Sequence, residues 1–330
     1  MCQNYSPRVH IHNLLRLCVA FEKREAAGRQ VAQAAQVQTP LIASKSTTMQ
    51  LRKVTRQKAR IKLGLSAVSG GGKTYSALLI AFGIVGDWSK VGIIDTENNS
   101  ADLYEHLGGY NVLPLEPPYS PERYIEAIQA CEDAGMEVII IDSITHEWDG
   151  KGGCLQIQEQ LGGKYQDWAK VTPRHQAFVE AIISSKCHII TTVRRKQDYE
   201  MSKDSTGKVK VEKAGLKEVT REGFEYELTV NLELDLRHNA TSSKDRTGLF
   251  TGKPEFIPTI ETGRLIANWC ERGIDVDAEI QGAVEKLAKC ATKEELTTFK
   301  ETLPEYVVNS ASFIAAGKTR YSEITTKRTV

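Results

Sequence analysis

From residue 59 onward, short apolar runs alternate with longer stretches in which apolar residues recur with a helical period. "RIKLGLSA" (60–67) reads as a strand, "VSGGGKT" (68–74) as a loop and "YSALLIAFGIV" (75–85) as a buried helix. "KVGIIDTE" (90–97) is a second strand. Ser120 followed by Pro121 opens a helix that Gly135 closes. "EVIIIDSI" (137–144) has the continuous apolar run of a strand buried on both faces of a parallel sheet. A helix over 172–186 leads to a fourth strand, "CHIITTVRR" (187–195). Such alternation predicts βαβ units, hence an α/β fold with a mostly parallel sheet flanked by helices.

After Arg195 the pattern changes. Residues 196–223 are polar and basic, with a turn expected at Ser205 to Gly207, and read as a hairpin or a loop. "FEYELTVNLELDLRHN" (224–239) alternates like one half-exposed strand. "TGRLIANWCERG" (262–273) closes the core with a helix, and 274–330 form a small helical domain. Residues 1–48 are rich in Ala, Gln, Ser and Thr, without strong periodicity, and are expected to be a disordered extension to a core over 49–273; either they are part of the natural protein or Met49 is its start.

The 330 residues carry a net charge of +1, so any nucleic-acid surface must be a local patch. The seven cysteines form no Cys-x-x-Cys pair, which argues against a disulfide framework or a structural zinc site and fits a reducing cytoplasm. No apolar run is long enough to span a membrane.

The chemistry concentrates in "AVSGGGKTY". Gly70, Gly71 and Gly72 let backbone N–H groups face phosphate oxygens, Lys73 reaches the β- and γ-phosphates, and the Thr74 hydroxyl suits Mg²⁺. The loop opens with Ala67, where the usual pattern has glycine; alanine costs little there if its φ is negative. The expected nucleotide-binding set is therefore Ala67, Val68, Ser69, Gly70, Gly71, Gly72, Lys73, Thr74 and Tyr75. Asp142, at the carboxyl end of its strand, is the second expected metal residue beside Thr74. Glu97 can orient and deprotonate an attacking water, with Glu147 as rival base. Ser143 either joins this cluster or begins the next loop.

"SAVSGGGKT", "GIIDTENNSADLY" and "VIIIDSIT", in this order, resemble the RecA-like P-loop NTPase core; the stretch from Met49 to Gly273 is most similar to phage and prophage RecA-like AAA domain ATPases. The resemblance implies ATP and Mg²⁺ as cofactors, Glu97 as the catalytic carboxylate, and Tyr104 as an aromatic stacked on adenine. It also makes "SSKDRTG" (242–248) a source of cations, Lys244 and Arg246, that reach a neighbouring subunit's γ-phosphate and act catalytically in a homo-oligomer; a charged β-turn is the alternative. Thr192, Arg194 and Gln197 are the candidates for sensing that phosphate.

Between Arg194 and Arg221 lie nine basic residues, including Lys203, Lys208, Lys210 and Lys213, against five acidic ones, with Tyr199 among them. They suit single-stranded DNA, or are a solvated hairpin. The function implied is an ATPase of phage-type recombination or repair in a bacterial cytoplasm. It would bind or anneal single strands, with a single-strand-binding protein as a further partner. An ATP-dependent switch acting on a protein partner is the alternative, and a P-loop kinase the third reading.

Overall fold

The computed structural model describes residues 54, 56–203 and 209–326; for 199–203, 209–214 and 326 it describes the backbone alone. The expected extension 1–48, the start at Met49, the turn at Ser205 to Gly207 and Lys208 lie outside the described residues, as do the side chains of Tyr199, Lys203, Lys210 and Lys213. Every element below belongs to the unit Thr55–Val330.

The strands are β1 (Lys62–Ala67), β2 (Val91–Asp95), β3 (Asn111–Pro114), β4 (Val138–Asp142), β5 (His188–Lys203), β6 (Val209–Glu218), β7 (Val230–Leu234) and β8 (Ala240–Asp245). The sheet runs β3-β2-β4-β5-β1-β7-β8, parallel from β3 to β7, with β8 antiparallel at one edge. β6 pairs antiparallel with the distal part of β5.

The principal helices are α1 (Lys73–Val85), α2 (Pro121–Asp133), α3 (Thr145–Asp149), α4 (Cys154–Gln160), α5 (Trp168–Ser184), α6 (Phe224–Glu227) and α7 (Ile260–Cys270). One face of the sheet packs Leu63, Leu65, Ile93 and Ile140 against Leu78 and Ile80 of α1 and Ile266 of α7. The other packs Ile139, Ile141 and Ile189 against Tyr124 and Ile128 of α2 and Phe178 and Ile182 of α5. The two-residue alternation along β4 thus feeds two apolar layers, which is why its sequence is apolar throughout. Each fully buried isoleucine contributes roughly 1.5–3 kcal/mol relative to leaving it exposed.

α1 and α7 approach backbone to backbone. A Cβ on Gly83 would lie 2.1 Å from the Ile260 carbonyl oxygen, and one on Gly263 2.2 Å from that of Ile80, so neither position admits a side chain at this spacing.

Three departures from the sequence reading have physical causes. β3 was not expected: "NVLP" is four residues long, lies at a sheet edge and is half-exposed, so it lacks a buried run. Residues 224–239 are not one half-exposed strand. They are the turn of helix α6, then the largely buried β7, then a tight loop; β7 lies between β1 and β8 and shows little alternation. The fourth strand does not end at Arg195 but continues into a β5–β6 ribbon, which resolves the hairpin-or-loop alternative as a hairpin.

The chain continues as α8 (Val276–Leu287), α9 (Lys293–Glu301), α10 (Glu305–Val308) and α11 (Ala311–Thr326). These pack on their own apolar cluster, Ala283, Leu287, Val307 and Phe313. The Asp275 carboxylate accepts from Ala278 N and the Thr292 hydroxyl from Glu295 N, so side chains cap α8 and α9. No helix among the described residues is long and apolar enough to cross a membrane.

Candidate nucleotide site

β1 ends in the core at the fully buried Ala67, and the loop to α1 turns on Gly70 and Gly72, both left-handed at φ +81° and +80°. Ala67 is not among the described non-glycine residues with positive φ, so alanine serves where the motif usually has glycine. Gly72 caps α1 with no side chain bonded over the helix end, which leaves first-turn N–H groups free for an anion.

The cavity in front of this loop has a volume of about 480 Å³. Ser69, Gly70, Gly72, Lys73, Thr74 and Tyr75 line it, and so do Glu97, Tyr104 and Asp142 from other elements. The Lys73 ammonium donates to the Ala67 and Val68 carbonyls at 3.4 and 3.3 Å, long contacts that an anionic ligand can replace. Burial lowers its pKa while the charge of Asp142 opposes that. The remaining loop residues, Ala67, Val68 and Gly71, shape the turn: Gly71 N donates to the Val68 carbonyl at 3.1 Å.

Asp142 accepts from Thr74 Oγ1 and Thr192 Oγ1, each at 2.5 Å. Burial pushes its carboxyl up and the two hydroxyls pull it back. A carboxylate and a hydroxyl in contact form an all-oxygen donor pair, which fits a hard divalent cation that keeps several of its waters.

Glu97 stands at the other wall. Asp95, at the end of β2, accepts from Glu97 N (2.6 Å) and Ala101 N (2.9 Å), so it folds the loop that carries Glu97. Ser143 Oγ donates to Glu97 Oε1 at 3.0 Å, which places Ser143 in the cluster. Arg194 grips the same carboxylate through two nitrogens. Burial works to raise the Glu97 pKa, but the Arg194 bonds and charge outweigh it and hold it below the usual value. Of the three sensor candidates, Arg194 lines the cavity, Thr192 bonds Asp142, and Gln197 donates to the Gly215 carbonyl in the ribbon.

Tyr104, on a 3-10 helix over Ser100–Leu107, faces Tyr75 with ring centroids 6.0 Å apart. The rival base, Glu147, is fully buried and bonded to His175 Nδ1 at 3.1 Å and Cys154 Sγ at 3.0 Å, away from the cavity lining. Lys244 and Arg246 are not brought to this cavity: Lys244 Nζ donates to the Glu225 and Tyr226 carbonyls, and Arg246 Nη2 to that of Tyr226 at 3.0 Å.

Sequence reasoning missed Asp95 as loop organiser and the wall formed by His238, Ile257 and Pro258. His238 sits at φ +67° in the β7–β8 loop, where the Asp235 carboxylate accepts from Arg237 N and Asn239 N. "DLRHN", rich in turn formers, was the available signal.

The β5–β6 ribbon leaves the sheet directly beyond Arg194. Lys196 and Lys217 are directly opposed across it and both exposed, and Lys217 Nζ lies 3.9 Å from Glu222 Oε2.

A comparison with curated proteins found no match. The model of the AAA domain family matches residues 59–259, more than half of the 330. That span runs from β1 and the phosphate-binding loop through Asp142 and Glu97 to the β7–β8 edge, and the chain belongs to the AAA domain family of P-loop NTPases.

Proposed function

We propose that this protein is a Mg²⁺-dependent ATPase of phage-type DNA recombination or repair that binds single-stranded DNA or assists its annealing. The observation that carries the ATPase reading is the meeting of Lys73, Thr74, Asp142 and Glu97 around one cavity. Lys73 and the first turn of α1 take the phosphate charge, and the facing Tyr75 and Tyr104 offer rings to the base. Thr74 and Asp142 would hold the Mg²⁺, which when bound neutralises charge on the phosphate oxygens. Glu97 accepts a proton from the water that attacks the γ-phosphorus as the bond to the β-phosphate oxygen breaks. Arg194 must first loosen its grip on Glu97, and the γ-phosphate is the anion to which it turns. Lys244 and Arg246, outside their own cavity, serve the site of a neighbouring subunit.

The DNA reading rests on the ribbon that begins at Arg194: its opposed lysines suit phosphates, and its base abuts the residue that holds Glu97. The test is ATP hydrolysis with and without single-stranded DNA, for wild type and Glu97→Gln. Stimulation by DNA, steep loss of DNA affinity with salt, and weaker binding by Lys196→Glu/Lys217→Glu are expected. No DNA binding at low salt with ATP and Mg²⁺ overturns the DNA half and leaves the ATPase half standing. A second reading, an ATP-driven switch acting on a protein partner, is favoured by the C-terminal helices, which carry their own core beyond the family match. Turnover indifferent to DNA selects it.

A further inference from the structure

The C-terminal helices enclose a groove of about 710 Å³ between α8, α9 and α11. Its floor is apolar: Leu287, Leu296, Val308 and Phe313. At its edge Ile314 and Tyr321 remain 44% and 51% exposed and extend the apolar floor toward the surface. Its rim is cationic. Lys293, Lys300 and Lys318 line the groove and no acidic residue does. Lys293 lies 4.6 Å over the Tyr321 ring. Lys300 and Lys318 have no carboxylate within ion-pair distance among the described residues, whereas elsewhere Lys58 pairs with Glu271 and Asp275, and Arg320 with Glu323.

We propose that this groove docks an acidic amphipathic segment of a partner protein, with apolar side chains on the Leu296–Phe313 floor and carboxylates against Lys300 and Lys318. An apolar floor supplies affinity to a helix laid in a groove, and a one-signed rim selects its charge and speeds encounter. The chain's own undescribed ends have the wrong side-chain sign for this rim: residues 1–53 hold eight Lys and Arg against two Glu, and 327–330 hold Lys327 and Arg328 with no Asp or Glu. None of the groove's residues lines the nucleotide cavity, so occupation of the groove and ATP turnover can be read separately.

The probe is a fluorescent synthetic helix of about three turns, with Leu and Phe on one face and Glu on the other, titrated against the full chain by anisotropy. The control keeps the apolar face and replaces Glu with Lys. Saturable binding of the acidic peptide is expected, at least about tenfold tighter than the control and weakening as salt rises. Lys300→Glu/Lys318→Glu should lose about tenfold or more in affinity, with unchanged circular dichroism and ATP turnover. Ile314→Asp, at an exposed position, should lose binding without unfolding. Absence of saturable binding, equal affinity for the lysine peptide, or wild-type affinity in the charge-reversed variant overturns the proposal. So does a concentration-dependent dimer in sedimentation that Ile314→Asp abolishes, since the occupant is then a second copy of the chain.

Discussion

Arg194 holds both oxygens of the Glu97 carboxylate, with Nε donating to Oε1 at 2.9 Å and Nη2 to Oε2. A base gripped in this way is ionised but poorly placed to take a proton. Glu97→Gln is expected to lower kcat by about 10²–10⁴ with ATP binding retained, measured by steady-state hydrolysis and nucleotide titration. Arg194 also holds the Glu97 pKa below its ordinary value, so the base stays deprotonated to lower pH. In Arg194→Ala that depression is lost, and the acid limb of the kcat/KM profile should move to higher pH, toward the ordinary carboxylate range. Arg194→Lys keeps the charge without the fork and should move it less. An unmoved limb in Arg194→Ala would rule out this pairing as the control on the base.

Asp142→Asn keeps the shape of the buried group and removes its charge. The Thr74 and Thr192 hydroxyls can each accept as well as donate, so the amide finds partners and the fold should hold. Metal dependence should change instead: the Mg²⁺ concentration for half-maximal hydrolysis is expected to rise about tenfold or more. A metal titration of turnover, with a thermal melt as control, reads both.

Lys244→Ala/Arg246→Ala is expected to cut turnover about 10³-fold or more if these cations act across subunits. Mixed with Lys73→Ala, which has intact cations and a dead nucleotide site, the inactive variant should regain activity in shared oligomers. Mixing that restores nothing, or a strictly monomeric chain that hydrolyses at full rate, sinks the trans arrangement.

His188 offers a stability test. It is buried at the start of β5, accepts from Ile61 N through Nδ1 at 3.1 Å, and has Arg60 3.2 Å from Nε2. Burial, aided by the charges of Arg60 and Lys62, lowers its pKa from 6.5 to about 3. Between those values the unfolded chain binds a proton that the native chain does not, so stability falls as pH drops from 6.5 toward 3. The slope is at most roughly 1.4 kcal/mol per pH unit. His188→Asn retains an acceptor for Ile61 N without the titrating proton. Urea melts at a series of pH values should show a flatter acid limb for the variant.

Much of this site was legible in the chain because its residues sit at the ends of strands that announce themselves. Asp142 closes a run of buried isoleucines, and Lys73 and Thr74 follow a glycine triplet whose geometry leaves few alternatives. Glu97 was readable as an acid just past a strand, but its partner was not. Arg194 is distant in sequence and reaches Glu97 because only β4 separates β2, which leads into Glu97, from β5 in the sheet. His238, Ile257 and Pro258 were invisible for the same reason: His238 is brought to the phosphate loop by β7 returning beside β1, and Ile257 and Pro258 by the bridge of Phe256 to Ala240. The alternating pattern over 224–239 misled because β7 is covered on both faces, and the short edge strand β3 carried too little apolar sequence to register.

The Gly83–Gly263 contact has a mechanical meaning. Two helices that touch through bare backbone have no intervening side chains to change rotamer and absorb a displacement. α1 starts at Lys73 and α7 runs out at Cys270, a few residues before the C-terminal helices begin. A tilt imposed on the phosphate-facing end of α1 is thus passed to α7 with little backlash.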